Sequence, residues 1–226
     1  DRDLATHLER TRRLGAGERL SQVTADFCRA WDVPGLVMPM SDDPVATWAE
    51  TLELGWLPFQ EYFVKHACRP KVLGFKFEGA QTALPAPGVL AAIREADLII
   101  VCPSNPFVSI APILSIKGIL AELKEKAAVV AVSPIVGGTA IKGPAAKMFT
   151  EFERDPSSFA VAQEYKNWIH GILIDPMDAD LGASISSLGM AVRVEDAIMR
   201  DRSDRKRLAE SVLRFGLDLL AGERHS

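Results

Sequence analysis

The sequence predicts an α/β fold: a doubly wound, mostly parallel, Rossmann-like sheet with a small α+β excursion. Three observations carry that expectation. Short unbroken apolar runs rich in β-branched residues recur, residues 98–101 (LIIV) and 129–132 (VVAV) above all, and such runs fit strands buried on both faces. Residues 118–126 between them have helical spacing, with Ile119, Leu120 and Leu123 on one side and Glu122, Lys124, Glu125 and Lys126 on the other. Strand, crossover and strand make one βαβ unit. Helical and extended patterns then alternate along the chain, as they do when helices flank a parallel sheet.

Taken in order, residues 3–13 read as a helix with Leu4, His7 and Leu8 on one side, broken by Gly15-Ala16-Gly17. Residues 18–31 form a stronger helix, with Leu20, Val23, Phe27 and Trp31 at helical spacing. Residues 35–40 (GLVMPM) read as a buried strand. Residues 41–87 read as an excursion from the main sheet, a lid or small subdomain. It holds a hairpin or edge ribbon over 45–57, an aromatic helix or strand at 59–66, a strand at 72–77 and a Pro-rich linker. A helix over 88–96 leads into the central unit. Gly143-Pro144 opens another, as proline at a first helical turn does. Residues 157–166 read as a helix, 171–174 and 189–194 as strands, and 201–220 as an amphipathic helix with Leu208, Val212, Phe215 and Leu219 inward.

With 226 residues the chain fits a single α/β domain, and 48% hydrophobic against 25% charged residues is ordinary for a soluble globular protein. The net charge of −4 excludes general nucleic-acid binding, which needs a basic face. A polyanionic ligand would therefore need a local basic cluster or a divalent metal. Cys28, Cys68 and Cys102 are odd in number, widely spaced and set in apolar surroundings, and read as reduced core residues of a cytoplasmic protein. No apolar run reaches 18 residues, and no signal peptide is visible. The chain opens at Asp1 rather than Met, within a charged, helix-like segment, so its true N-terminus is expected to lie upstream.

Ligands of open α/β sheets sit outside the carboxyl ends of the strands. Run 98–101 leads to Pro103-Ser104-Asn105-Pro106, and run 129–132 to Ser133-Pro134 and then Gly137-Gly138. Hydroxyls, amides and glycines there let donors approach an oxyanion, phosphate first; the same residues also simply build turns. Asp42 and Asp43 follow the 35–40 run and read either as metal-binding or substrate-polarising carboxylates, or as turn residues before Pro44. Lys142 and Lys147 flank a helix start, where lysines reach phosphate oxygens or stay solvated. His7 reads as a core or interface residue, with Asp1, Arg2 and Asp3 adding ionisable groups beside it. Glu61, Tyr62 and Phe63 lie in an aromatic patch that could line a pocket or belong to the core. No common nucleotide, zinc or serine-hydrolase signature is present.

Five stretches in order carry a resemblance: residues 1–7 (DRDLATH), 40–45 (MSDDPV), 59–64 (FQEYFV), 103–110 (PSNPFVSI) and 133–148 (SPIVGGTAIKGPAAKM). They resemble the 2-phospho-L-lactate transferases that serve synthesis of the deazaflavin coenzyme, factor 420. The resemblance implies a transferase moving a phospholactyl group, or in bacterial members a phosphoenolpyruvyl group, from a guanosine-diphosphate-linked donor. The acceptor would be the ribityl hydroxyl of the 8-hydroxy-5-deazaflavin precursor, with GMP leaving and Mg2+ assisting. It implies that Ser104 and Asn105 hold the donor, that Ser133, Gly137 and Gly138 shape the same pocket, and that Asp42 and Asp43 face the transfer site as catalytic residues. Arg2 and His7 would support the deazaflavin side. Metal ligands are not identified. The family's N-terminal strand and glycine-rich loop are missing from the sequence. A cytoplasmic homodimer is expected, without nucleic-acid or membrane partners. The alternative is a non-catalytic nucleotide-binding regulator of carbon metabolism or cell-wall precursor supply with the same fold.

Overall fold

A computed structural model describes residues 2–126 and 128–223. It opens with two helices, α1 (Arg2–Gly15) and α2 (Leu20–Ala30), joined at the predicted glycine break, where Arg13 is bound by Glu18 and Asp26. Phe27 and Trp31 stack at the end of α2, 5.4 Å between ring centroids. The side of α1 carrying Leu4, His7 and Leu8 is exposed, so His7 is not a core residue. Residues 35–40 form no strand among the described residues; their only neighbour in β-type pairing is a bridge from Ser41 to Pro85. Leu36 is 74% exposed. An apolar run becomes a strand only when another segment completes its backbone hydrogen bonds, and among the described residues only the Met40 carbonyl is so paired, accepting from the Ala86 N–H at 3.1 Å.

The excursion is a three-stranded antiparallel sheet of β1 (Ala46–Thr51), β2 (Gly55–Pro58) and β3 (Val72–Glu78), in the order β2-β1-β3. The expected hairpin thus gains a third strand, and β1 is central rather than an edge. A π-helical turn, Glu61–Lys65, links β2 towards β3. The inner face packs on the main body: Ala49, Tyr62 and Val72 share a core with Met148, Phe107 and Phe152.

The main body begins with α3 (Val89–Glu95) and β4 (Ile99–Val101), continues through a π-helical turn (Pro106–Ile110) into α4 (Ala111–Leu114), then α5 (Ile119–Lys124) and β5 (Val129–Val132). A tight hairpin of β6 (Ile135–Val136) and β7 (Thr139–Ala140) follows, then α6 (Ala145–Glu151), α7 (Ser158–Tyr165) and β8 (Gly171–Ile174). A 3-10 turn (Pro176–Leu181), α8 (Gly182–Ser186), β9 (Ala191–Val194) and α9 (Arg202–Glu223) complete it.

β4, β5, β8 and β9 lie parallel in that order. Strand alternation splits their side chains between two layers. Val129, Ala131, Ile172 and Ile174 pack with Ile119, Phe149, Val161 and Ile185 of the crossover helices. Val130, Val132 and Leu173 pack under Leu208, Val212 and Phe215 of α9. Helices therefore cover both faces, and each fully buried valine of β5 contributes about 1.5–3 kcal/mol. The terminal helix seats closely: a Cβ on Gly216 would lie 2.4 Å from the Leu98 side chain. β4 differs from the expectation of burial on both faces. It is the outer strand of the described sheet and only half-buried.

Candidate functional site

Because β4 and β5 are parallel neighbours, the loops after them meet at one end of the sheet. A cavity of about 520 Å³ opens there. Ser104, Asn105 and Ser109 border it from the β4 side, and Pro134, Lys142 and Gly143 from the segments after β5. Asn105 shapes its own loop: Oδ1 accepts from the N–H groups of Phe107 (2.9 Å) and Val108 (3.3 Å), capping the π-helical turn, and Nδ2 contacts Met148 Sδ at 3.2 Å. Gly143 has φ +75°, a left-handed conformation that lets the chain turn from the Lys142 rim into α6.

The excursion adds an aromatic wall. Phe59 and Phe63 stack with centroids 5.6 Å apart, and Phe63 is 42% exposed. Their neighbours do not reach the cavity. Tyr62 is buried, and desolvation pushes its phenol well above the ordinary value, while Glu61 pairs with Lys65, whose hydrogen bond lowers the carboxyl.

The remaining wall comes from the connection between β9 and α9, with Ala197 and Met199, and from the first turn of α9, with Arg205. Its backbone is braced from below. The buried Asp175, at the end of β8, accepts from the N–H groups of Met177 and Ala197, both at 3.0 Å. Arg207 donates to the carbonyls of Asp196 and Ile198, and Arg200 bridges Asp196 and Asp204 at 3.3 Å each. The Ile198 N–H, then Arg200, hold the Asp196 carboxyl below the usual range; the Arg200 N–H does the same for Asp204. The cavity lining contains two cations, Lys142 and Arg205, and no carboxylate. Among the described residues neither cation has an ion-pair partner. An aromatic wall beside two unneutralised cations suits a ligand with a flat ring and a multiply charged anion.

Other residues singled out from the sequence lie elsewhere. Ser133 is buried, donating to the Ile135 carbonyl (2.9 Å) and accepting from its N–H (3.2 Å). Gly137 and Gly138 form the turn between β6 and β7 with φ +55° and +76°, the paired left-handed conformation of a type I′ hairpin. The Gly137 N–H donates to Asp178 (3.2 Å), which also accepts from Ser158 (2.8 Å). The glycine bordering the cavity is Gly143. Lys147 reaches the Pro70 carbonyl (3.1 Å) and Glu151, fastening α6 to the excursion.

Asp42 accepts from the Ser21 N–H (2.6 Å) and hydroxyl (2.8 Å) at the start of α2, and Asp43 from the Leu84 N–H (2.8 Å). Both border a second cleft of about 770 Å³, with Glu18, Glu78 and Arg10. His7 borders neither cleft, and the side chain of Arg2 lies outside the described residues, as does Asp1. No group of three or more His, Cys, Asp or Glu among the described residues could hold a metal ion. All three cysteines are free; Cys68 is buried, but Cys102 is exposed rather than in the core.

A model of the family described as 2-phospho-L-lactate transferase CofD matches residues 1–201. The chain belongs to the 2-phospho-L-lactate transferase family. It is 35% identical over 213 residues to the 2-phospho-L-lactate transferase of Methanosarcina acetivorans, spanning 94% of this chain and 69% of that one. It is 41% identical over 218 residues to the phosphoenolpyruvate transferase of Kitasatospora aureofaciens, spanning 94% and 68%. A crystal structure of a Bacillus halodurans protein shares the fold, with TM-score 0.61 at 16% identity over 89% of this chain and 68% of that one. Within this family the chain is a transferase, and the cation-lined cavity is its candidate functional site. Arg205, Phe59, Ala197 and Met199 are the lining residues that sequence reasoning missed. The signal for Arg205 was present only as one cation in a basic run, Arg200, Arg202, Arg205, Lys206 and Arg207.

Proposed function

We propose that the chain transfers a phospholactyl or phosphoenolpyruvyl group from a guanosine-diphosphate-linked donor to the ribityl hydroxyl of the 8-hydroxy-5-deazaflavin precursor. The observation that carries this reading is the pairing of Lys142 and Arg205 with the Phe59–Phe63 wall in one cavity at the β4 and β5 ends. The acceptor oxygen attacks the phosphorus that bears the organic acid. The bond from that phosphorus to the bridging oxygen breaks, and GMP departs with the bridging oxygen. In-line phosphoryl transfer through a loose transition state depends on positioning and charge stabilisation more than on a strong base. That matches a lining with cations and no carboxylate or histidine. Lys142 holds the diphosphate oxygens, and Ser104, Asn105 and Ser109 border the same chamber as neutral polar neighbours. The ring of the guanine or the deazaflavin stacks on Phe63. Mg2+ is part of the same reading: when bound it would add charge neutralisation at the diphosphate, a role that needs only one or two protein carboxylates beside the phosphate oxygens.

The free cysteines fit a reducing, cytoplasmic setting, and no described helix is long and apolar enough to cross a membrane. A homodimer is part of the same reading. The test is to mix the protein with donor and deazaflavin precursor and follow GMP release together with the mass of the acceptor. Stoichiometric GMP and a product heavier by the phospho-acid are expected. Nucleotide binding without GMP release would replace this reading with a regulatory one.

A further inference from the structure

Arg205 stands apart from the basic run around it. Arg200 is engaged by Asp196 and Asp204, and Arg207 by two backbone carbonyls and the same aspartates. Those contacts fix the backbone from which α9 starts. Arg205, in the first turn of α9, borders the cavity, exposed and without an ion-pair partner among the described residues.

Resting on the transferase reading above, we propose that Arg205 reads the carboxylate of the transferred organic acid, while Lys142 holds the diphosphate. Phospholactate and phosphoenolpyruvate differ at the second and third carbons, saturated in one and unsaturated in the other. They share a phosphate ester and a carboxylate. A site that accepts either acid therefore has the carboxylate as its second anionic handle. The two cations reach the chamber from different walls, Lys142 from the loop between β7 and α6 and Arg205 from α9. Their chemistry divides the same way. The planar guanidinium fork matches two coplanar carboxylate oxygens, whereas an ammonium acts as a point charge suited to phosphate. The carboxylate stays unchanged through the transfer, so Arg205 is a specificity residue acting on binding, and its effect falls mainly on KM.

The test uses the complete natural chain and two donors: the guanosine-diphosphate-linked acid, and the same donor with its carboxylate converted to the neutral amide. Arg205→Ala is expected to lower kcat/KM for the acid donor by about 30- to 100-fold, the range for a lost charged hydrogen-bonded contact. The same variant should change the amide donor and free GDP affinity by less than about twofold. Arg205→Lys should recover little, because it restores charge without the fork. Arg205 is exposed, so its removal should leave the thermal transition in place. An Arg205→Ala variant that slows both donors alike, or that weakens GDP as much as the acid donor, would overturn the assignment. Failure of the underlying reading looks different: wild-type protein would then release no GMP from either donor, whether or not it binds nucleotide.

Discussion

Two clefts of the molecule, of about 520 and 770 Å³, have opposite character. One, at the ends of β4 and β5, is lined by Lys142 and Arg205 with no carboxylate. The other, beneath α1 and α2, is lined by Glu18, Asp42, Asp43 and Glu78 against Arg10. They differ also in how their charges are engaged. Asp42 and Asp43 are held by Ser21 and Leu84, and Glu18 by Arg13. Lys142 and Arg205 have no such partners among the described residues. Arg10 and Glu78 of the second cleft likewise carry no ion pair among the described residues, so the two clefts differ in the sign of their charge and in the hydrogen-bonded engagement of Asp42, Asp43 and Glu18.

The largest separation between the clefts should come from Lys142→Ala. Removing that ammonium is expected to weaken GDP about 10- to 100-fold, measured by calorimetry, and the loss should shrink as salt is raised. Unchanged GDP affinity would make the first cleft no more than a surface depression. Asp42→Ala is expected to do the opposite. It removes two hydrogen-bond acceptors from the start of α2 and should cost about 1–2 kcal/mol in urea unfolding, with GDP affinity unchanged within about twofold. Turnover that collapses while stability holds would return Asp42 to the reaction. The smallest effect concerns acid. Asp196 and Asp204 both sit below their ordinary values in the folded protein. Their ionised forms therefore favour the ordered connection before α9. That contribution is complete above about pH 4 and is lost as pH falls through the depressed folded values. Hydrogen exchange of residues 196–204, corrected for its intrinsic pH dependence, should speed up on acidification below about pH 4 while β5 stays protected.

Much of the fold was legible because buried strands leave a plain trace. The runs at 129–132 and 171–174 are the strands β5 and β8 to the residue, since burial on both faces admits only apolar side chains. The same rule failed at 35–40, where composition could not show that no described neighbour completes a ladder. The Gly137-Gly138 pair misled in a different way. In sequence it fits either an anion cradle or a turn, and in the fold the two glycines between Val136 and Thr139 form a hairpin turn off the cavity. Asn105 stands out in sequence at a strand end and Lys142 at a helix start, and both border the cavity. Arg205 does not stand out, because five cations within eight residues look alike until the aspartates claim Arg200 and Arg207. Pairing is a property of the folded surface, and the sequence holds no record of it.

The close seating of α9 on the sheet, which Gly216 permits, has a consequence for handling the protein. One helix both roofs the apolar layer of Val130, Val132 and Leu173 and supplies a wall of the cation-lined chamber. Occupancy of that chamber and retention of the tail are therefore linked by mass action. A nucleotide that fills the chamber should slow proteolysis within α9. Conversely, shortening the tail should uncap a greasy sheet and empty the chamber in a single step.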